Sequence, residues 1–241
     1  MAKMAFSLEE APCGSTGFFT RWSLWALGTE GTGREIKEMI EEIVKQTLLA
    51  VARFYDQRKV GDVGSLGFRR SSDLAKLVAC LTWMVERHVL VPQSSSFLDL
   101  GCADGRVNVL LSYLVRKSVG IEIDEWTLDE YEPLRKGLES ALSEEDLPIP
   151  PENVSLYLGD STDESLHQRI QQQTGLGFED FDLFYTYLTM QEEFAELISQ
   201  KARPGAVFMV YGLATILPRF PGLRLMTPTP LEGILALYEK T

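Results

Sequence analysis

Cysteine and histidine are scarce in this chain, which restricts the kinds of site it can build. It has three cysteines, Cys13, Cys80 and Cys102, and two histidines, His88 and His167. An odd number of cysteines without a Cys-x-x-Cys pair favours neither a disulfide framework nor a thiolate zinc site. With two histidines, a histidine-rich metal site is not expected either. The sequence therefore predicts no metal centre.

Positive charge is also scarce. The chain has 23 Lys and Arg against 35 Asp and Glu, which gives a formal net charge of −12. Proteins that bind a phosphate backbone are normally basic, so this balance disfavours nucleic acid as a partner. It remains compatible with a small molecule or a basic protein.

Long apolar runs are missing as well. No uncharged apolar stretch reaches the length of about 18 residues that a membrane span needs, and the longest candidate, between Pro204 and Pro218, is interrupted by Gly212. The first ten residues, MAKMAFSLEE, contain no apolar core of signal-peptide length. We therefore expect no membrane span and a cytoplasmic location.

Hydrophobic periodicity predicts two domains, residues 1–92 and 93–241. The first contains an irregular aromatic segment, FFTRWSLWAL, which would either form a lid over a ligand site or pack outside the next helix. Helical spacing follows over 33–59, with Thr32 as its N-cap, and again after Ser71 or Ser72. We expect an N-terminal helical extension, and a lid or cap over the substrate site is one of the two roles open to its aromatic segment.

From residue 93 onward, short apolar runs alternate with helical patterns. The runs lie at 97–100, 119–123, 154–158, 181–188 and 206–211, and two weaker ones lie near 223–226 and 234–239. A helical pattern containing Trp126, Leu128, Tyr131, Leu134 and Leu138 separates the second run from the third. This alternation predicts an α/β fold with a doubly wound, mostly parallel sheet.

The turn after the first run, GCADG at 101–105, is suited to close approach of a ligand to the backbone. It is not a G-x-G-x-x-G turn, because Ala103 and Arg106 fill the second and third glycine positions, and no Walker lysine follows. Asp99 and Asp104 would repel phosphate, so a cationic or hydroxyl-bearing ligand is favoured. A nicotinamide oxidoreductase is disfavoured for the same reasons.

Two further acids follow the next two runs. Glu122 ends the second run, where a carboxylate can accept hydrogen bonds from ribose hydroxyls. Asp160 follows the third run, where a carboxylate can accept a proton of an adenine amino group. Together with Asp99, they indicate a pocket for an adenosine with a cationic arm and no phosphate. The alternatives are a helix-capping Asp99, an ordinary strand-end Glu122 and a turn-forming Asp160.

The stretches FLDLGCADGR, VGIEID and LGDST resemble the cofactor motifs of class I S-adenosylmethionine-dependent methyltransferases. The resemblance covers about 95–241 and implies S-adenosyl-L-methionine as cofactor and a seven-stranded sheet of order 3-2-1-4-5-7-6. It also implies that Asp99 and the turn hold the methionine arm, Glu122 the ribose, and Asp160 with Ser161 the adenine. The expected cofactor-binding residues are Asp99, Gly101, Cys102, Ala103, Asp104, Gly105, Glu122, Ile123, Asp160 and Ser161.

The acceptor side is expected in FDLFYTYLTMQEE, where Tyr185, Thr186 and Tyr187 are the candidate catalytic residues. A hydroxyl can hydrogen-bond an acceptor amine, and an aromatic face can hold its cationic form. The alternative is that the tyrosines are core aromatics. FRRSSDL and YTYL loosely resemble a branch of protein-lysine methyltransferases, which implies a lysine acceptor and a cofactor site closed by Phe68, Ser71 and Ser72.

The function expected from these features is methyl transfer from S-adenosylmethionine to a nitrogen or oxygen nucleophile. The methyl acceptor is a small molecule or a protein side chain. A second class of function stays open, which is a non-catalytic cofactor-binding or scaffold module of the same fold. The acids that would bind the cofactor do not show whether a methyl group is transferred.

Overall fold

The computed structural model describes residues 33–58, 60, 71–213 and 216–241. The chain divides into two compact units between Glu42 and Ile43, and the whole sheet belongs to the second unit. The predictions for Thr32, the aromatic segment and Phe68 lie outside the described residues. The predicted domain boundary at 92/93 stays a prediction.

The helices follow the predicted periodicity closely. They are α1 (Gly33–Asp56), α2 (Leu74–Glu86), α3 (Arg106–Ser112), α4 (Glu125–Leu128), α5 (Tyr131–Glu144), α6 (Glu164–Thr174) and α7 (Gln191–Lys201), with a 3-10 turn at Phe178–Asp180. None of the helices in the described ranges has both the length and the apolar character needed to cross a membrane.

Seven strands form one sheet. They are β1 (Ser96–Asp99), β2 (Lys117–Glu122), β3 (Val154–Leu158), β4 (Leu183–Tyr187), β5 (Val207–Tyr211), β6 (Leu223–Leu225) and β7 (Leu235–Lys240). Their order is β3-β2-β1-β4-β5-β7-β6. The first five are parallel, and β7 is antiparallel to both β5 and β6. This confirms the predicted doubly wound α/β fold and its strand order.

The central strands are apolar on both faces because helices cover the sheet on both sides. All residues of β1 and β5 are buried. One hydrophobic cluster joins alternate strand residues, such as Leu98, Phe184 and Phe208, to Phe194 and Ile198 of α7. The rigid core therefore fixes where the ends of β1, β2 and β4 lie.

The prediction of one helix through Trp126 and Leu138 is wrong in one respect. The structure has two helices there, α4 and α5, which are separated by Asp129 and Glu130. Pro133 explains the break. A proline in the first turn of a helix loses no hydrogen bond, whereas in the middle of one continuous helix it would remove one and clash with the preceding turn.

Candidate functional site

A cavity of about 520 Å³ opens at the carboxyl ends of the parallel strands. Its wall includes residues that follow β1, β2, β3 and β4. The strand order reverses between β1 and β4, and ligands of doubly wound sheets bind at such a reversal. The volume lies within the usual range of small-molecule sites, about 300–1,000 Å³.

Asp99 is the most unusual group in this cavity. It ends β1 and is 0% exposed, and its Oδ1 accepts a 3.1 Å hydrogen bond from the Gly101 N–H. Its Oδ2 is buried and has no hydrogen-bond partner within the described part of the chain. Burial raises the pKa of this carboxyl to about 8, and the negative charges of Glu122 and Asp104 add to the rise. A cationic ligand group would supply the missing partner.

The turn 101–105 is held in a strained shape. Ala103 has φ 48°, a left-handed conformation that a residue with a Cβ rarely adopts, and Gly105 has φ 75°. A Cβ at Gly105 would lie 2.7 Å from Leu156 and 2.8 Å from Tyr131, so the glycine is required there. At Gly101 a Cβ would meet nothing within 4 Å. The backbone at Gly101 therefore stays open to a ligand.

Glu122 holds this turn from the neighbouring strand. Its Oε2 accepts a 2.9 Å hydrogen bond from the Ala103 N–H, and its Oε1 accepts one of 2.9 Å from the Asp124 N–H. The next residue, Ile123, is 66% exposed at the cavity wall. The end of β2 thus presents a carboxylate beside an exposed apolar side chain, which is suited to a ligand with a polar and a flat apolar part.

Asp160 and Ser161 close the cavity after β3. Asp160 is exposed and accepts hydrogen bonds from the N–H and the hydroxyl of Thr162. Ser161 is buried, and its hydroxyl donates to the Leu100 carbonyl at 2.8 Å. His167 Nε2 donates to the Ser161 carbonyl at 2.8 Å, and burial lowers the pKa of this imidazole, which favours its neutral form. Ser161 is thereby fixed between β1 and α6.

The other side of the cavity is lined by hydroxyl groups and aromatic rings. Tyr185 is buried, and its hydroxyl lies 2.5 Å from the Ser72 hydroxyl. The rings of Tyr187 and Tyr211 stack with centroids 5.3 Å apart, and the Tyr211 hydroxyl accepts a 2.7 Å hydrogen bond from the Asp73 N–H. Burial raises the pKa values of Tyr185 and Tyr211, so both phenols stay protonated.

The loop after β4 is also strained. Leu188 and Met190 have φ values of 50° and 48°. Two threonines hold the loop, since Thr186 Oγ1 donates to the Thr189 carbonyl and Thr189 Oγ1 to the Tyr187 carbonyl, both at 3.0 Å. A strained backbone conformation of this kind persists only where surrounding contacts hold it in place, and such conformations are frequent at ligand sites.

Most of the predicted site residues meet in this one cavity. Its wall includes Asp99, Gly101, Cys102, Ala103, Glu122, Ile123, Asp160, Ser161, Tyr185, Thr186 and Tyr187. Asp104 and Gly105 do not line it. Asp104 is 0% exposed and is paired with Arg106, and Gly105 packs against Leu156 and Tyr131. Burial raises the pKa of the Cys102 thiol, which suits a filler beside the ligand rather than a nucleophile.

Sequence reasoning missed several residues of the site. Thr189, Met190, Phe194 and Val60 line the cavity, and Tyr211 stacks behind Tyr187. The pairing of β4 with β5, which sets Tyr187 opposite Tyr211, is a long-range contact with no local signal. No group of three or more potential metal ligands occurs in the described ranges.

Searches against protein-family models and curated proteins give no match for this chain. Solved structures resemble it at low identity. An RNA methyltransferase from Salinibacter ruber in complex with S-adenosyl-L-homocysteine is 18% identical, with a TM-score of 0.42 over 72% of this chain and 93% of that one. The rRNA methyltransferase aviRa from Streptomyces viridochromogenes is 12% identical, with a TM-score of 0.45 over 66% and 83%. Likeness at this level carries no argument about function.

Proposed function

We propose that the chain is an S-adenosylmethionine-dependent methyltransferase. The observation that carries this proposal is the buried Asp99 carboxyl, whose Oδ2 has no partner among the described residues and which lines the cavity. A buried carboxylate without a partner is costly, and a cationic group of a ligand would offset that cost. The methionine arm of S-adenosylmethionine carries such a group.

The remaining residues fit the other parts of this cofactor. Gly101 leaves the backbone open beside Asp99, which suits the amino-acid arm. Glu122 lies in the cavity wall at the end of β2, where its carboxylate can accept hydrogen bonds from ribose hydroxyls. Exposed Ile123 offers an apolar surface to an adenine ring, and Asp160 an acceptor to its amino group.

When bound, S-adenosylmethionine supplies an electrophilic methyl group on a sulfonium sulfur. The work left to the protein is to align the acceptor, to exclude water and to accommodate a proton lost from the acceptor. In our proposal, the Ser72 and Tyr185 hydroxyls orient the acceptor. The Tyr187 ring, which is backed by the stacked Tyr211 ring, forms the aromatic part of its binding surface.

We further propose that the acceptor is an amine, such as the side chain of a protein lysine. Tyrosine faces attract an ammonium group, and their hydroxyls can accept its N–H bonds. The stacked tyrosines and the net charge of −12 both favour a cationic acceptor over an anionic one. A neutral oxygen nucleophile gains nothing from either feature.

Calorimetry with S-adenosyl-L-homocysteine tests the donor site. We expect binding by the parent protein and a loss of about 10- to 150-fold in Asp99→Asn, the scale of a hydrogen bond between charged groups. Asp129→Asn is the matched control, because this carboxylate is exposed and lies outside the cavity wall. NADH is expected to give no heat. If the parent protein is folded and does not bind S-adenosylhomocysteine, the proposal is wrong.

Transfer is tested separately with a donor carrying a labelled methyl group. Candidate acceptors are a lysine-containing basic peptide, the same peptide with arginine in place of lysine, and free alkyl amines. Label in the lysine peptide but not in the arginine peptide is expected. Donor binding without incorporation into any acceptor in a cell extract would instead support the non-catalytic module.

A further inference from the structure

Arg106 lies in the cavity wall, next to the turn 101–105, which we name the donor turn. Its guanidinium group makes its contacts on the side of this turn that faces away from the cavity. Its Nε lies 3.0 and 3.1 Å from the two carboxylate oxygens of Asp104, and its Nη2 lies 2.8 Å from Oδ2. The side chains are 3% and 0% exposed. Buried, bidentate pairs of this kind have a fixed geometry, so the pair can set the shape of the turn that contains Asp104.

The remaining N–H groups of Arg106 point to the end of α1. They donate to the carbonyls of Tyr55 and Arg58 at 3.3 to 3.4 Å, and the guanidinium carbon lies 5.5 Å from the centre of the Tyr55 ring. The carbonyls at the end of a helix lack the N–H partners of a further helical turn, and a cationic side chain can bind them beside turn contacts such as that of the Arg58 N–H with the Tyr55 carbonyl. Arg106 therefore ties the donor turn to residues 55–58, which we name the α1 end.

The α1 end also reaches the acceptor side of the cavity. Asp56 accepts hydrogen bonds from the Leu74 and Ala75 N–H groups, at 2.9 and 3.1 Å, and so holds the first turn of α2. Two residues just before α2 contact the tyrosines on the acceptor side of the cavity. Ser72 is hydrogen-bonded to Tyr185, and Asp73 to Tyr211. The α1 end thus contacts both Arg106, which borders the donor turn, and the first turn of α2, which follows Ser72 and Asp73.

We infer that Arg106 is a positioning residue for the donor turn, which it holds against the α1 end. The inference rests on the proposed function. Its physical basis is the left-handed Ala103, which is held on one side by Glu122 and on the other by the Asp104–Arg106 pair. Without Arg106, the strained turn can relax, and its N–H groups and Asp99 lose their alignment.

The test compares S-adenosylhomocysteine affinity in Arg106→Met with that of the parent protein, well below both melting temperatures. Methionine keeps an apolar stem of similar length and removes the five N–H donors. We expect affinity to fall about 10- to 100-fold, the scale of one lost hydrogen bond between the ligand and a charged group. Arg106→Lys keeps the charge but not the fork, so it should recover part of the loss.

Two controls separate positioning from general destabilisation. Leu237→Ala removes a fully buried side chain of β7 outside the cavity wall, so it should lower the melting temperature while binding like the parent. Arg53→Met removes an exposed arginine of α1, which pairs with Glu145, and should change neither property. The double variant Asp104→Asn/Arg106→Met should lose no more affinity than Arg106→Met, because the pair acts as a unit.

The outcomes distinguish this inference from the proposed function. If the folded parent does not bind S-adenosylhomocysteine, both fall. If the parent binds and the Arg106 variants bind within about twofold of it, only the positioning role is overturned. Equal losses in Leu237→Ala and Arg106→Met also overturn it, because they show a general effect of stability. If Arg106→Met does not fold, the S-adenosylhomocysteine affinity of Arg106→Lys is compared with that of Leu237→Ala instead. A larger loss in Arg106→Lys supports the positioning role, and equal losses or a loss of less than about twofold overturn it.

Discussion

Asp99 shows how one buried side chain can prepare a protein for a charged ligand. Removing a carboxylate from water is strongly unfavourable, so in the free protein the group holds its proton up to a pH of about 8. The single hydrogen bond from Gly101 stabilises the ionised form but does not compensate for burial. A cation that binds beside Oδ2 therefore shifts the protonation equilibrium of Asp99 toward the carboxylate. The attraction between this carboxylate and the cation then stabilises the complex.

Donor affinity should consequently depend on pH through Asp99. Below a pH of about 8 the free carboxyl is protonated, so binding of an ammonium group releases a proton. We expect affinity for S-adenosylhomocysteine to rise by up to about tenfold per pH unit from about 6 to 8 and then to level off. Calorimetry in buffers of different ionisation enthalpy measures the proton release, and Asp99→Asn should abolish it.

The same raised pKa affects the stability of the free protein, with a definite sign. Between the unfolded value of about 4 and the folded value of about 8, the folded chain keeps a proton that the unfolded chain releases. The contribution of Asp99 to the free energy of unfolding therefore falls as pH rises through this window. Denaturant unfolding of the parent and Asp99→Asn should show this difference, and parallel pH profiles would contradict it.

The two glycines of the donor turn should respond differently to alanine. Gly101→Ala meets open space at an ordinary φ, so we expect unchanged stability and weaker donor binding. Gly105→Ala combines φ 75° with a Cβ 2.7 Å from Leu156, so it should lower the free energy of unfolding by about 1–3 kcal/mol. Thermal unfolding and calorimetry measure the two effects, and a stable Gly105→Ala would contradict the strain argument.

At the level of elements, the site consists of two halves carried by different strands. The donor half belongs to the ends of β1, β2 and β3. The acceptor half belongs to the end of β4, the loop 188–190 that follows it and Ser71 with Ser72, and Tyr211 of β5 stacks behind it. The halves meet where Asp99 lies opposite Tyr185 in the pairing of β1 with β4. A change confined to the loop 188–190 after β4, which we name the acceptor loop, should therefore alter methyl transfer and leave binding of the methyl donor intact.

Gly212, just after β5, offers a test of this independence. Its φ is 95°, and a Cβ there would lie 2.8 Å from a methyl group of Leu188 in the acceptor loop. We expect Gly212→Ala to cost about 1–2 kcal/mol of stability, to displace this loop and to reduce methyl transfer. S-adenosylhomocysteine affinity should stay within about twofold of the parent. Equal losses in affinity and transfer would show that the halves are not independent.

At the scale of the whole molecule, a ligand bound at strand ends should stabilise the entire cooperative unit, because the site draws on most of the parallel sheet. An S-adenosylhomocysteine concentration of about 100 times Kd adds about 2.7 kcal/mol. For a domain of this size that corresponds to an increase in melting temperature of about 5–10 °C. Differential scanning fluorimetry measures the shift, and Asp99→Asn should show little of it.

The charge of the whole chain gives a further prediction, on the acceptor. With a net charge of −12, the protein should repel single-stranded RNA and attract a basic peptide. Fluorescence anisotropy at low ionic strength should show saturable binding of the peptide only, and this binding should weaken with added salt. Saturable RNA binding would contradict the amine acceptor and favour a nucleic-acid substrate.

The sequence by itself determined the alternation of strands and helices and the acids at the strand ends, and its resemblance to a known family implied the strand order. Asp99, Glu122 and Asp160 could be predicted because each follows an apolar run, and periodicity is a local property. The parallel order then brings the carboxyl ends together at one edge. The resemblance of the three motifs to a known family agreed with this local pattern.

Only the tertiary structure decided which way each side chain of the turn faces and what supports it. Asp104 was predicted from the sequence to bind the cofactor. In the structure, Gly105 with its positive φ is the N-cap of α3, and Asp104 is paired with Arg106 behind the cavity. Likewise, Ser72 meets Tyr185 and the α1 end meets Arg106 across long separations in sequence. These contacts depend on how helices pack against the sheet, and no short-range pattern encodes that.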